Sequence, residues 1–123
     1  MKQVFKDPAI YAARAADDKK GEAVAVLHPG ASHPLADYLV LATALSRPHL
    51  ESIEKEIKKV LGEMGLSCIH KSRPDSDSWR ILDFGGLIVH IMTDSARELY
   101  SLEKIYRDAP RVKWEPRKIV AKK

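Results

Sequence analysis

Residues 79–92 constrain the fold more than any other part of this 123-residue sequence. They form two apolar runs, 79–84 and 87–92, joined by the dipeptide Gly85-Gly86. Two glycines between apolar runs are typical of a two-residue hairpin turn of the primed type, which requires backbone conformations that glycine adopts without strain. The sequence therefore predicts an antiparallel β-hairpin whose turn also fixes which residues face each other.

In the predicted register Trp79 lies opposite Met92 and Asp83 lies opposite Ile88, with the intervening pairs in order. Because strand side chains alternate, the hairpin has two distinct faces. The first is almost wholly apolar and is expected to meet the helices; it consists of Arg80, Leu82, Phe84, Leu87, Val89 and Ile91. The second, called here the Trp79 face, consists of Trp79, Ile81, Asp83, Ile88, His90 and Met92.

The Trp79 face mixes large apolar side chains with one acid and one histidine, which is typical of protein interfaces, where tryptophan and methionine are enriched. One interpretation is that it binds a partner, with Trp79 as the main anchor. The alternative is that the chain covers this face itself, with His90 hydrogen-bonded in the core. The residue types alone do not decide between the two.

Two helices are predicted before the hairpin. In the first predicted helix, Asp7 is suited to the N-cap position and Pro8 to the first helical position. Gly21 is suited to the position just after the last helical residue. Ser46 suits the cap of the second and Gly65 its end. The second helix has an apolar face with helical spacing, and its Glu51/Lys55 and Glu54/Lys58 pairs are expected on the solvated face. The apolar positions are Leu50, Ile53, Ile57, Val60, Leu61 and Met64.

A third helix is predicted from a capping box of Ser95 and Glu98, ending before Pro110. Strands are predicted at 23–28, 38–44 and 66–70 in addition to the hairpin, and 38–44 is apolar enough to be covered on both faces. The order αββαβββα predicts one mixed α/β domain, with a mixed sheet of about five strands packed with helices.

The charge is concentrated at the end of the chain. Residues 111–123 contain six Lys or Arg and one Glu, whereas the other 110 residues have a net charge of −1. We therefore expect a domain at 1–112 and a basic flexible tail at 113–123, solvated rather than nucleic-acid-binding, although contact with RNA phosphates stays open. With one cysteine, no apolar run of about 18 residues and no signal segment, the expected location is cytoplasmic, without membrane contact.

Sequence motifs for catalysis and metal binding are absent. The five histidines lack helical clamp spacing, and no HExxH, CxxC, glycine-rich phosphate loop or GxSxG occurs. We therefore expect no catalytic residues, no metal and no cofactor. The alternative is a nucleotide-binding or nucleotidyltransferase-type enzyme, which would need Mg²⁺ and strand carboxylates, for which Asp37 and Asp83 are the candidates.

Several separated segments together resemble the ribosomal silencing factor (Iojap) family. They are PLADYLVLAT at 34–43, WRILDFG at 79–85, IVHI at 88–91, YSLEK at 100–104 and DAPRV at 108–112. The resemblance covers about residues 9–112, in the family's order and spacing.

The resemblance implies a fold related to the nucleotidyltransferases but without their catalytic residues. It also implies a translational repressor, not an enzyme, that binds the large ribosomal subunit through its protein uL14 at the intersubunit face. There the family prevents the small subunit from joining, and free members are often homodimers. The basic tail could touch ribosomal RNA, but no direct nucleic-acid contact is required.

The family's functional residues correspond to Trp79, Asp83, His90, Tyr100 and Glu103. With two further side chains of the Trp79 face, the predicted partner-binding residues are Trp79, Ile81, Asp83, His90, Met92, Tyr100 and Glu103. The sequence departs from the family at Gly86, where an aspartate is usual, at Ala44, where glycine is usual, and at Tyr106, where tryptophan is common.

Overall fold

The structure is a computed structural model that describes residues 5–29, 36–68, 70–71, 78–100 and 109–115. These residues contain three helices and six strands. In chain order they are α1 (Lys6–Asp18), β1 (Glu22–Leu27), β2 (Tyr38–Ala44), α2 (Arg47–Glu63), β3 (His70–Lys71), β4 (Trp79–Asp83), β5 (Leu87–Thr93), α3 (Asp94–Tyr100) and β6 (Arg111–Val112).

The strands form one mixed sheet in the order β3-β4-β5-β2-β1-β6. The central pair, β2 and β5, is parallel, and the other neighbours are antiparallel. Parallel neighbours require a crossover connection, and α2 lies in the connection between these two strands. The predicted mixed α/β fold is therefore confirmed; the relation to nucleotidyltransferases stays a prediction.

The hairpin has the predicted register at every pair from Trp79 opposite Met92 to Asp83 opposite Ile88. Gly85 has a φ of +103°, in the region that favours glycine, and the Phe84 N–H donates to the Leu87 carbonyl across the turn at 2.9 Å. A local turn signal thus determined the pairing of two strands.

The main core lies between the sheet and the pair α1 and α2. Every residue of β2 is buried, as its apolar sequence predicts for a central strand covered on both faces. Alanine side chains allow α1 to lie close to the sheet and to α2, because they add little width between the backbones. The fully or almost fully buried alanines of α1 are Ala9, Ala12, Ala13, Ala15 and Ala16.

The ends of α2 were predicted correctly. The Ser46 Oγ accepts a hydrogen bond from the His49 N–H at 3.2 Å, which makes it the N-cap. Gly65 has a φ of +88°, and the Leu66 N–H returns to the Leu61 carbonyl at 2.9 Å, the hydrogen bond of a Schellman C-cap.

The predicted ends of α1 were wrong. The helix begins before Asp7, after Phe5, without a side-chain cap. At the other end Lys20, not Gly21, takes the left-handed conformation, with φ +69°. Gly21 is needed for a different reason, since its N–H bonds to the Ala16 carbonyl and a Cβ would lie 2.9 Å from that oxygen.

Two further predictions differ from the structure, and a third falls outside the described residues. Residues 66–68 of the predicted strand 66–70 are not in a strand, and among its described residues only His70 pairs with β4, as the first residue of β3. The cap of α3 is Thr93, whose Oγ1 accepts from the Ala96 N–H at 3.4 Å, rather than Ser95. The continuation of this helix toward Pro110 falls in 101–108, outside the described residues.

The chain end contains a strand that the sequence did not predict. Strand β6, at the end of the predicted domain, pairs with β1, and Trp114, in the segment expected to be solvated, packs against the main core. The Arg14 Nε donates to the Trp114 carbonyl at 2.7 Å and so ties this segment to α1. A flexible tail at 113–123 stays a prediction, since residues 116–123 lie outside the described part.

Within the described residues, no helix combines the length and the apolarity needed to cross a membrane.

Candidate functional site

The Trp79 face lies on the side of the sheet opposite α1 and α2, next to α3. A second, smaller apolar cluster forms there from β1, β2, β5 and α3, and Trp79 and Ile88 pack against its edge. The buried members of this cluster are Leu27, Ala36, Leu39, Leu41, Met92 and Ala96. The chain therefore covers part of this face with its own residues.

The chain covers this face unevenly. Met92 has 0% of its surface exposed and His90 has 9%. The remaining four side chains, Trp79, Ile81, Asp83 and Ile88, are only partly buried. Met92 is consequently a core residue beneath α3, and the prediction that it contacts a partner is corrected: no surface of it is available.

Trp79 and His90 are joined by a hydrogen bond. The Trp79 Nε1–H donates to the His90 Nδ1 at 3.1 Å, and the ring centroids are 5.8 Å apart with the planes tilted by 43°. The two residues occupy diagonal positions on adjacent strands, since His90 lies directly opposite Ile81. Long and aromatic side chains reach each other across this diagonal. The indole is thus oriented by the neighbouring strand.

Asp83 helps to form the hairpin turn. Its Oδ1 accepts a hydrogen bond from the Gly85 N–H at 2.9 Å, which holds the residue at the turn end of the Trp79 face. A carboxylate has further acceptor positions on its second oxygen. Asp83 can therefore stabilise the turn and still receive a donor from a partner.

Two predicted partner-binding residues cannot be placed relative to this face. Tyr100 is the last residue of α3, and its side chain is outside the described part of the structure. Glu103 lies in the segment 101–108, also outside the described residues. Their role stays a prediction.

A buried ion pair links the hairpin to α2 on the other side of the sheet. The Arg80 Nη1 donates to the Glu54 Oε1, and the exposed fractions of these residues are 4% and 6%. Glu51 approaches Arg80 to 3.6 Å, and Lys58 approaches Glu54 to 3.9 Å. This pair holds β4, the strand that carries Trp79, against α2.

The Arg80–Glu54 pair was not predicted from the sequence. The predicted position of Glu54 on the solvated face of α2 was wrong, because Glu54 is buried. A signal was present, because Glu54 follows Leu50 by four residues and precedes Ile57 by three, within the apolar stripe. An acid inside such a stripe requires a buried cation, and Arg80 is the basic residue on the helix-facing side of the hairpin.

Helix α3 is fixed on the sheet by a second buried polar contact. The Arg97 Nη1 donates to the Thr43 Oγ1 at 2.8 Å, and both residues are buried. Thr43 lies beside Met92 in the parallel pair of β2 and β5. This contact holds α3 over the covered part of the Trp79 face.

The candidate acids of the enzyme alternative lie at the turn end of the sheet. The Asp37 N–H donates to the Gly86 carbonyl at 2.8 Å. One carboxylate oxygen of Asp83 accepts the hydrogen bond from the Gly85 N–H in the turn. The described residues contain no group of three or more His, Cys, Asp or Glu that could hold a metal ion. Two-metal or single-metal phosphoryl chemistry therefore has no assembled ligand set in this part of the chain.

Tyr38, beside Asp37, is equally unsuited to act as a nucleophile. Burial, and secondarily the charge of Asp37, raise the pKa of its phenol, so the phenol stays protonated. The His28 ring stacks on it with a centroid distance of 4.4 Å, and the His28 Nδ1–H donates to the Asp37 carbonyl at 2.7 Å. These two contacts join the end of β1 to the beginning of β2. The described residues thus define a mixed α/β domain.

Comparison with known proteins identifies the family of this α/β domain. The family described as ribosomal silencing factor during starvation matches residues 2–123. The Ribosomal silencing factor RsfS of Halalkalibacterium halodurans is 33% identical over 104 residues, which is 85% of this chain and 89% of that protein. The chain belongs to the ribosomal silencing factor family, and the resemblance noted in the sequence is confirmed.

Two further relatives extend the comparison. A solved structure from Chromobacterium violaceum shares the fold with a TM-score of 0.79 at 22% identity, covering 84% of this chain and 86% of that one. The mouse protein named mitochondrial assembly of ribosomal large subunit protein 1 is 32% identical over 77 residues, 57% of this chain and 32% of that protein. Family membership implies translation regulation and association with the ribosome.

Proposed function

We propose that this protein binds the large ribosomal subunit through protein uL14 at the intersubunit face and sterically blocks joining of the small subunit. It would act in the cytoplasm by occupying a surface, without bond chemistry. The proposal is carried by the partly exposed apolar patch around Trp79 on a hairpin that is held rigidly in the sheet. It is further supported by family membership and by the name of the mouse relative, which refers to the ribosomal large subunit.

Trp79 is the expected energetic centre of the contact. Tryptophan is enriched among the few residues that dominate binding energies, and Trp79 has partly exposed apolar neighbours, Ile81 and Ile88, on the same face. Asp83 at the turn, together with Glu103, is proposed to pair with basic side chains of uL14, which would set orientation and association rate. His90 is covered too well to supply much contact area.

A second copy of the chain could cover the same patch in the absence of ribosomes. We propose that the free protein is a homodimer and that dimerisation and ribosome binding share the side chains around Trp79. A two-fold axis, the commonest symmetry of homo-oligomers, places the same patch of both copies in contact, so the partly exposed Trp79, Ile81 and Ile88 would cover their counterparts.

Co-sedimentation with purified large subunits tests the proposal. The wild-type protein is expected to sediment with them and to prevent their association with small subunits. The variant Trp79→Ala should bind about thirtyfold more weakly, because truncating an anchor costs about 2 kcal/mol. Tyr11→Ala is the matched control: Tyr11 is 44% exposed on α1, on the opposite side of the sheet, and its removal should leave binding unchanged.

The same assay separates the proposed contact from others. Isolated uL14 should retain the wild-type protein and release Trp79→Ala, and deletion of residues 117–123 should change large-subunit binding little. A wild-type protein that stays in the supernatant, or a Trp79→Ala variant that binds as tightly as the wild type, would show that the proposal is wrong. Binding that depends steeply on salt and on residues 117–123 would instead indicate RNA contact through the tail.

A further inference from the structure

The contact between Trp79 and His90 assigns these two residues different tasks on the same face. We propose that His90 is a positioning residue: it holds the Trp79 indole in the orientation that engages the ribosomal partner, rather than contacting that partner. This inference rests on the function proposed above and deepens it.

Burial argues against direct contact by His90. Its exposed fraction is 9%, and its strand neighbours enclose it, with Ile81 opposite on β4 and Leu41 beside it on β2. Trp79, by contrast, is partly exposed and lies at the edge of the smaller apolar cluster. A partner can therefore cover the indole while it has almost no access to the imidazole.

The hydrogen bond defines the chemical state that His90 needs for this task. An indole N–H is only a donor, so the His90 Nδ1 must present a lone pair, and the ring proton of the neutral imidazole then resides on Nε2. An apolar side chain at position 90 has no acceptor for the indole. The Trp79 indole then loses this hydrogen bond, and the neighbouring strand no longer fixes its orientation through position 90.

An oriented anchor binds more tightly than a free one because less side-chain freedom is lost on association. Replacement of His90 should accordingly weaken large-subunit binding although the replaced side chain touches no partner. The loss of one hydrogen bond to a partly buried group corresponds to about a tenfold change in affinity.

The test is a double-mutant cycle measured by co-sedimentation with large subunits. His90→Leu should bind about tenfold more weakly than the wild type, and His90→Asn should restore most of the affinity, because its amide oxygen can take the place of Nδ1. In a Trp79→Phe background, which lacks the indole N–H, His90→Leu should change the affinity by less than about twofold. If its full effect persists in that background, His90 acts independently of the indole and the inference is wrong.

A spectroscopic measurement reports the positioning directly and needs no ribosome. The chain has two tryptophans, so Trp114→Phe assigns the indole N–H resonance of Trp79 in a ¹H–¹⁵N spectrum. This resonance should move in His90→Leu and stay near its wild-type position in His90→Asn. Should His90→Leu fail to fold, His90→Gln replaces it, because its longer side chain puts the amide at the Nε2 position and should not restore the contact.

The outcomes separate this inference from the proposed function. A wild-type protein that does not bind large subunits contradicts both. Binding that requires Trp79 but is equal in wild type and His90→Leu contradicts the positioning role alone. Restoration by Asn, together with loss of the His90 effect in Trp79→Phe, supports it, because a merely structural role would be insensitive to the indole N–H.

Discussion

The buried pair of Arg80 and Glu54 should dominate the stability of the hairpin side of the domain. In Arg80→Met the methylene part of the side chain is kept, but Glu54, with 6% of its surface exposed, loses the guanidinium. Removal of one member of a buried pair costs about 3–5 kcal/mol, because the remaining charge stays desolvated. Lys58, at 3.9 Å from Glu54, offsets part of this cost and places the expected loss near the lower end of that range.

A loss of this size is large for a domain whose total stability is about 5–15 kcal/mol. It should lower the denaturant midpoint in urea unfolding monitored by circular dichroism, with an unchanged slope. The double variant Arg80→Met/Glu54→Leu should regain most of the loss, since a matched apolar pair replaces a buried ion pair at little net cost.

Arg47→Met is the matched control for this prediction. It breaks the ion pair with Glu51, whose atoms are 3.3 Å apart, but both side chains are half exposed, so it should cost less than about 1 kcal/mol. The reasoning is refuted if Arg80→Met is no more destabilising than Arg47→Met. It is also refuted if the double variant is less stable than Arg80→Met.

Three further predictions concern single positions and are measured by equilibrium unfolding. Lys20→Gly should stabilise the protein by about 0.5–1 kcal/mol, because φ +69° strains any residue with a Cβ. Gly86→Asp, the family's usual residue, should destabilise by about 1–3 kcal/mol because its Cβ would overlap the Phe5 ring, and Phe5→Ala should suppress this cost. Burial raises the pKa of Tyr38 above about 10, so the folded state keeps a proton that the unfolded state loses, and stability falls as the pH rises past about 10. Tyr38→Phe should flatten this alkaline decline.

The parts of the fold that the sequence predicted correctly depend on neighbours along the chain. The hairpin register follows from Gly85-Gly86 alone, and α2 follows from one cap residue, one terminal glycine and a helical apolar period. Such signals are local, so no knowledge of the rest of the molecule is needed to interpret them.

The parts that were missed depend on residues far away in sequence. Strand β6 has two residues and exists because β1 offers an edge to pair with, while β3 is set by where β4 ends. No propensity of these residues distinguishes them from a loop.

The candidate site shows the same division. Alternation placed Trp79, Asp83 and His90 on one face, and this is confirmed by the register. How much of that face is covered depends on where α3 lies. The hydrogen bond that holds α3 on the sheet joins Arg97 to Thr43, which are 54 residues apart in the sequence. For that reason Met92 was predicted from the sequence as a contact residue, whereas it is fully buried in the structure.

The size of the uncovered patch also limits how the protein can bind. A stable protein complex buries about 800 Å² on each partner, and three partly exposed apolar side chains cannot supply that area. The contact must therefore extend beyond the hairpin, and α3 is the adjacent element, because its Ala96 packs in the cluster that Trp79 borders. An interface that runs from the turn at Asp83 across Trp79 and along α3 would reach the end of that helix at Tyr100.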